Sequence, residues 1–187
     1  MTKASVSLNF EEALDTLSEV VDIFQLDEWA VKSAIIRAIN RTLITIRKTL
    51  SQKITAQTGV KNRIIKGRFR KFGANRNFMR GRLSFLAAGV PASILNYRML
   101  KKKGGVKVLN VHYKSAFVRT PRKRKRGKIR EMIFERVGPQ RLPLFERRIK
   151  IIDKASAVFS VSEEEVYSRF IRYLEQELIF KAKAFKK

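Results

Sequence analysis

A chain of 187 residues that is 44% hydrophobic and 10% aromatic has enough apolar material for a core, which excludes wholesale disorder. It carries 42 Lys and Arg against 16 Asp and Glu, a formal net charge of +26, so self-repulsion opposes compaction unless salt or a polyanion screens it. With no cysteine and one histidine, His112, it can form neither a disulfide framework nor a cysteine- or histidine-based metal cluster. The polyanions that suit such a charge are DNA, RNA, an anionic membrane surface or an acidic protein ring. No apolar run approaches the roughly 20 residues of a membrane span. Met1 to Phe10 lacks the basic-then-apolar order of a signal peptide, so a soluble, cytoplasmic product without a membrane partner is expected.

Residues 9–25, within an acidic N-terminal segment 1–26, are predicted to be helical. Asn9 caps the helix and Glu12 completes a capping box. Leu14, Leu17, Val21 and Phe24 form its apolar stripe, and Glu11, Glu12, Asp15, Glu19 and Asp22 make it the one acidic piece of a basic chain. That face is either solvated or meets a basic patch on this chain or a neighbouring copy. A long helix is predicted over 27–55, with Asp27 as its cap. Its stripe is Ile35, Ile39, Leu43, Ile46, Leu50 and Ile54, with Ala34 and Ala38 permitting close approach. Gly59 ends this helix. Thr58 is expected to cap a short basic helix, 60–72, in which Val60, Ile64, Ile65 and Phe69 alternate with Lys61, Arg63, Lys66, Arg68, Arg70 and Lys71. Interleaved aromatics and cations describe a nucleic-acid surface and a small amphipathic helix equally well.

From residue 81 to 152 the pattern changes to strands. Arg82 to Ala88 and Ala92 to Tyr97 flank Gly89-Val90-Pro91, and Lys101 to Gly105 reads as a turn. Val106 to Tyr113 reads as one strand with apolar members on both faces, buried on two sides or placed at an oligomer contact. Ile129 to Val137 and Arg147 to Ile152 are the remaining strand candidates, with Gly138-Pro139 as a stop. Residues 119–128 are too densely cationic for a core and read as an exposed loop between strands. A C-terminal helix over 161–185 has Ser162 and Glu165 as its capping box and Val166, Phe170, Leu174 and Leu178 as its buried stripe. Lys181, Lys183, Lys186 and Lys187 gather at its end, where cations suit the helix dipole. The expected architecture is a single α+β domain, with N-terminal helices and a long C-terminal helix packed on a mostly antiparallel sheet.

Enzyme constellations are lacking. Gly104-Gly105 precedes a strand and not a helix, unlike a phosphate-binding loop. Glu163, Glu164 and Glu165 fall in a first helical turn, where dipole and capping account for them. His112 has no accompanying Ser or Asp motif, so a structural role is expected. The stretch 56–130 is nearly devoid of acids, which argues against nuclease chemistry. No catalytic residue, metal or cofactor is therefore expected. The expected contacts to nucleic acid or an acidic partner are Lys61, Arg63, Lys66, Arg68 and Arg70, with Arg119, Arg122, Lys123, Arg124, Lys125, Arg126 and Lys128 in the loop. No helix-turn-helix, zinc finger, RRM or KH signature supports base-specific reading.

Several short motifs occur in a distinctive order. Ala38-Ile39-Asn40-Arg41 lies in the long helix, a basic segment Lys61 to Lys71 follows, and Gly89-Val90-Pro91 comes next. Ala116-Phe117 then precedes the basic loop, and Glu135-Arg136-Val137-Gly138 with Arg141-Leu142-Pro143 follows it. Over roughly residues 30–180 this order resembles the minor tail protein Z family of lambda-like phages and prophages. The resemblance implies a structural, non-enzymatic virion protein acting in tail completion at the head-proximal end of the tail. It would be assembled in the host cytoplasm and reside in the tail or neck. Its implied family-motif residues are Asn40, Arg41, Pro91, Phe117, Arg136, Gly138, Arg141 and Pro143. Its implied partners are a homo-oligomeric ring of about six copies, tail terminator, tail tube and connector proteins, and DNA. The competing reading is a basic, ribosome-associated RNA-binding protein outside phages.

Overall fold

The computed structural model describes residues 3–8, for their backbone alone, and 27–86, 88–101, 104–120, 131–136, 138, 142–160 and 163–185. It is an α+β structure, with helices packed against several small antiparallel sheets.

The spine is α1, Glu28–Thr58. Asp27, in extended conformation, accepts a hydrogen bond from the Ala30 amide at its start. At its end Gly59 takes φ 69° and donates to the Thr55 carbonyl, so a residue without Cβ closes the helix. Every member of the expected stripe, from Ile35 to Ile54, is buried, as are Ala34 and Ala38. Thr42 is also buried on this face, and its hydroxyl donates to the Ala38 carbonyl one turn back, which satisfies it.

Strands β1 (Lys3–Leu8), β2 (Phe69–Phe72) and β3 (Gly81–Leu86) form a sheet in the order β1-β3-β2. Its β3 strand starts directly on α1: a Cβ at Gly81 would stand 2.5 Å from Ile39 Cγ2 and 3.0 Å from Leu43 Cδ1. Phe69 and Phe85, paired across β2 and β3, meet with their rings tilted by 51° and 4.9 Å between centroids. Phe159 joins them at 6.1 Å from each, carried by α3, Ile152–Ser160.

Strands β4 (Val90–Pro91) and β11 (Arg148–Ile149) form a short tie. A 3-10 turn, Ala92–Ile94, leads to β5 (Tyr97–Met99), which pairs with β6 (Val106–Val108) and β6 with β7 (Val111–Tyr113). Strands β8 (Ala116–Arg119), β9 (Met132–Arg136) and β10 (Leu144–Glu146) make the last sheet, in the order β10-β9-β8. Finally α4, Glu163–Phe185, packs antiparallel on α1 and buries Val166, Phe170, Leu174 and Leu178 as its stripe requires. A polar seam runs beside that apolar one: Lys53 meets Glu165, Thr45 meets Tyr173, and Arg41 meets Glu177.

Several expectations are corrected. The basic helix 60–72 is instead α2, Asn62–Lys66, followed by strand β2. Phe69 is required in the aromatic cluster, and extended backbone delivers it there while Arg70 and Lys71 face solvent. Thr58 does not cap α2. Its hydroxyl donates to the Ile54 carbonyl and accepts from the Val60 amide, and Lys61 occupies the cap position. The run Ala92 to Tyr97 is largely the 3-10 turn, with extended pairing starting only at Tyr97. Val106 to Tyr113 is a hairpin of two strands reversed at Leu109, which adopts φ 53° while its side chain packs on the core. Arg147 to Ile152 is a strand only over Arg148–Ile149, because Ile152 begins α3. The expected acidic helix 9–25 and the capping residue Ser162 lie outside the described residues.

Candidate polyanion interface

Two cationic regions can be located. The first is α2 and β2. Lys61 at the cap of α2, Arg63 and Lys66 on α2 and Arg70 on β2 are exposed, and no hydrogen bond or ion pair engages their side chains among the described residues. β2 is an edge strand, so Arg70 and Lys71 also serve to blunt edge-to-edge pairing. Arg68, between these elements, has a different task. Its guanidinium donates to the carbonyls of Leu86 at 3.2 Å, Ala88, and Gly89 at 3.3 Å, holding the chain as it leaves β3. Burial first, and then the charge of Arg148, push its pKa below the ordinary arginine value. Arg68 is therefore committed to the fold.

The second region is the β8–β9 pair. Arg119 is the exposed last residue of β8, and the antiparallel pairing of the two strands brackets the basic stretch between them. Arg122, Lys123, Arg124, Lys125, Arg126 and Lys128 lie outside the described residues.

The motif residues fall into two groups. Asn40 and Arg41 stand on α1. Asn40 Nδ2 donates to the Ala74 carbonyl at 3.0 Å, and Gly73 lies so close that a Cβ there would be 2.4 Å from Asn40 Oδ1. Asn40 thus anchors the loop between β2 and β3. Arg41 bridges to α4 through Glu177 at 2.7 Å and Gln176 at 3.3 Å. Pro91 closes the β4–β11 tie opposite Arg148. The second group surrounds an open concavity of about 760 Å³ lined by Lys114, Ser115, Ala116, Phe117, Arg136 and Gly138. The Arg136 guanidinium lies 5.4 Å from the Phe117 ring centroid, and Gly138 turns the chain at φ 88°. Pro143 is exposed just before β10, and Arg141 lies outside the described residues.

Phe134 is the residue at this site that the sequence reading did not single out. It lies directly opposite Phe117, with ring centroids 6.4 Å apart. Its signal was the alternation Met132, Phe134, Arg136 against Ile133 and Glu135 within the strand.

The described carboxylates are mostly spent inside the subunit. Glu135 pairs with Arg147 at 2.9 Å, Glu146 with Arg148 at 2.9 Å, and Glu177 with Arg41 at 2.7 Å. Glu165 bonds Lys53 at 2.6 Å and Arg169 at 2.8 Å. The hydrogen bond from Lys53 chiefly lowers the Glu165 pKa; burial opposes the shift, and Arg169 assists it. Tyr97 donates to Glu131, and that bond, with some burial, raises the Tyr97 pKa. His112 Nε2 donates to the Gly104 carbonyl at 2.9 Å, tying β7 to the glycine pair ahead of β6.

Among the described residues no group of His, Cys, Asp and Glu is placed to hold a metal ion, and no helix is long and apolar enough to cross a membrane. No protein-family model, curated protein or solved structure matches the chain.

Proposed function

We propose that this chain is a structural, non-enzymatic tail-completion protein. It would form a ring of about six copies at the head-proximal end of a phage tail and turn its cations toward DNA or an acidic connector surface. The observation that carries the reading is the separation of charge. Glu135, Glu146, Glu165 and Glu177 are neutralised within the subunit, while Lys61, Arg63, Lys66, Arg70 and Arg119 stay exposed in a chain of net charge +26. A surface of that kind gains stability from a polyanionic neighbour, with an affinity that falls as salt rises. The order of motifs around Asn40-Arg41, Pro91, Phe117 and Arg136 to Pro143 supplies the resemblance to minor tail protein Z, and an α+β fold is compatible with it. Tail terminator, tail tube and connector proteins are the partners this reading entails, and it requires neither cofactor nor metal.

Sedimentation of the purified chain at micromolar concentration tests the reading. A discrete closed oligomer several times the 21.7 kDa chain mass is expected. A monomer at every concentration that co-purifies with ribosomal RNA would contradict it and favour the ribosome-associated alternative.

A further inference from the structure

We infer that the outer face of the β8–β9–β10 sheet is a stacking platform for single-stranded nucleic acid. Antiparallel register places Phe117 opposite Phe134 and Arg119 opposite Met132, and Leu144 opposite Arg136. These residues share one face, because Ala116 and Ile133 on the alternate positions are buried in the core. Neither Phe117 nor Phe134 belongs to that core, although Val118 between them in the pattern packs against it. Two aromatic rings 6.4 Å apart are thus presented at half-buried positions on the solvent side of a sheet. Half-buried Met132 and Leu144 extend the apolar patch on this face, and Arg119 and Arg136 stand at its two ends.

Charge and shape select the occupant. The one carboxylate on this face among the described residues is Glu146, and Arg148 neutralises it at 2.9 Å. Beside Phe117, the concavity of about 760 Å³ brings together the Arg136 fork and the Lys114 backbone turn. A planar base can stack on Phe134 and, by displacing the Arg136 guanidinium from over the Phe117 ring, on Phe117, and its phosphate can then take the paired N–H donors of Arg136. A duplex keeps its bases stacked inside and cannot use the rings, whereas an unpaired strand can. An acidic protein surface would use the arginines but would gain nothing from two half-buried rings tilted 35° to one another. The platform needs no ring assembly, so it stands or falls separately from the tail-completion reading.

The test is fluorescence anisotropy with a short fluorescein-labelled oligothymidylate, competed by duplex DNA of equal length, heparin and polyglutamate. The full chain should bind the single strand more tightly than any of these at equal salt. Phe117→Ala and Phe134→Ala should each weaken it roughly tenfold while leaving the salt slope unchanged. Arg136→Gln should lower that slope by about 0.7. Phe117→Trp should retain binding, and its indole emission should be quenched by the oligonucleotide beyond the baseline from Trp29. Alanine variants that bind like the unmodified chain, an unquenched indole, or equal competition by heparin or polyglutamate would overturn the platform.

Discussion

The guanidinium of Arg41 lies 4.5 Å from the Tyr173 ring centroid while its Nη1 donates to Glu177 at 2.7 Å, so one side chain on α1 grips two successive turns of α4. Tyr173 returns the contact through its hydroxyl, which bonds Thr45 at 3.0 Å one turn further along α1. The seam continues to Lys53 and Glu165, which fixes the antiparallel register of the two longest helices. Its ends are half-exposed, so it contributes register and a modest stability beside the apolar stripe.

Arg41→Ala should therefore destabilise the protein by roughly 1–2 kcal/mol, through loss of the ring contact and of the main partner of Glu177. Arg41→Lys keeps the charge but not the planar fork and should recover less than half of that. Urea unfolding followed by circular dichroism measures both, and an Arg41→Ala midpoint equal to that of the unmodified chain would remove the seam from the account.

Gly81→Ala should cost about 1–3 kcal/mol, because the new Cβ falls 2.5 Å from Ile39 Cγ2 in a packed interior. Gly138→Ala meets open space and is opposed only by its φ of 88°, so it should cost about 1 kcal/mol or less. Thermal melts of the two variants should rank Gly81→Ala clearly lower.

Glu165 sets an acid-sensitive limb. Its pKa is depressed in the folded state, so its contribution is present above the ordinary carboxylate range and is lost as pH falls through the folded-state value. Glu165→Gln, or Lys53→Met, should lower stability at neutral pH and converge with the unmodified chain in acid, so that the decline below that range is flattened. Unfolding free energy measured across the acid limb distinguishes this from a general acid denaturation shared by both variants and the unmodified chain.

Substituting Ser for Arg122 through Arg126 should leave the melting temperature nearly unchanged and abolish assembly of infectious particles. Substituting Lys61, Arg63, Lys66 and Arg70 should reduce the salt slope of polyanion binding without a change of fold, since their side chains are exposed. Arg68→Ser should behave differently: it releases three backbone carbonyls and should be read in stability.

The parts of the fold legible in the sequence are those set by long periodicity. The α1 and α4 stripes each recur over several turns, and both are buried where periodicity puts them. Short elements were obscured by ambiguous local chemistry. Phe69 to Phe72 buries one residue in four, a pattern that cannot separate a strand from a turn of amphipathic helix. Ile151 and Ile152 look like strand residues by their branching, yet one is buried before α3 and the other begins it. The left-handed residue of the Val106 to Tyr113 hairpin is Leu109, which carries none of the Gly, Asn or Asp chemistry of such a turn, and Asn110 beside it is too weak a signal to break the apolar alternation. At the candidate interface, Arg68 was indistinguishable from its exposed neighbours, because its partners Leu86, Ala88 and Gly89 are brought to it only by β2–β3 pairing. Phe117 was marked by its motif, while Phe134 acquires meaning only from the register that sets it opposite.

The most direct measurement of the central claim is the position of the protein in purified tailed particles, read by immunogold labelling with mass-spectrometric confirmation. The account predicts label at the head-proximal end of the tail, lost from particles made with the Arg122 through Arg126 substitutions. Particles that lack the protein altogether, or that form at normal titre with the substituted loop, would contradict it.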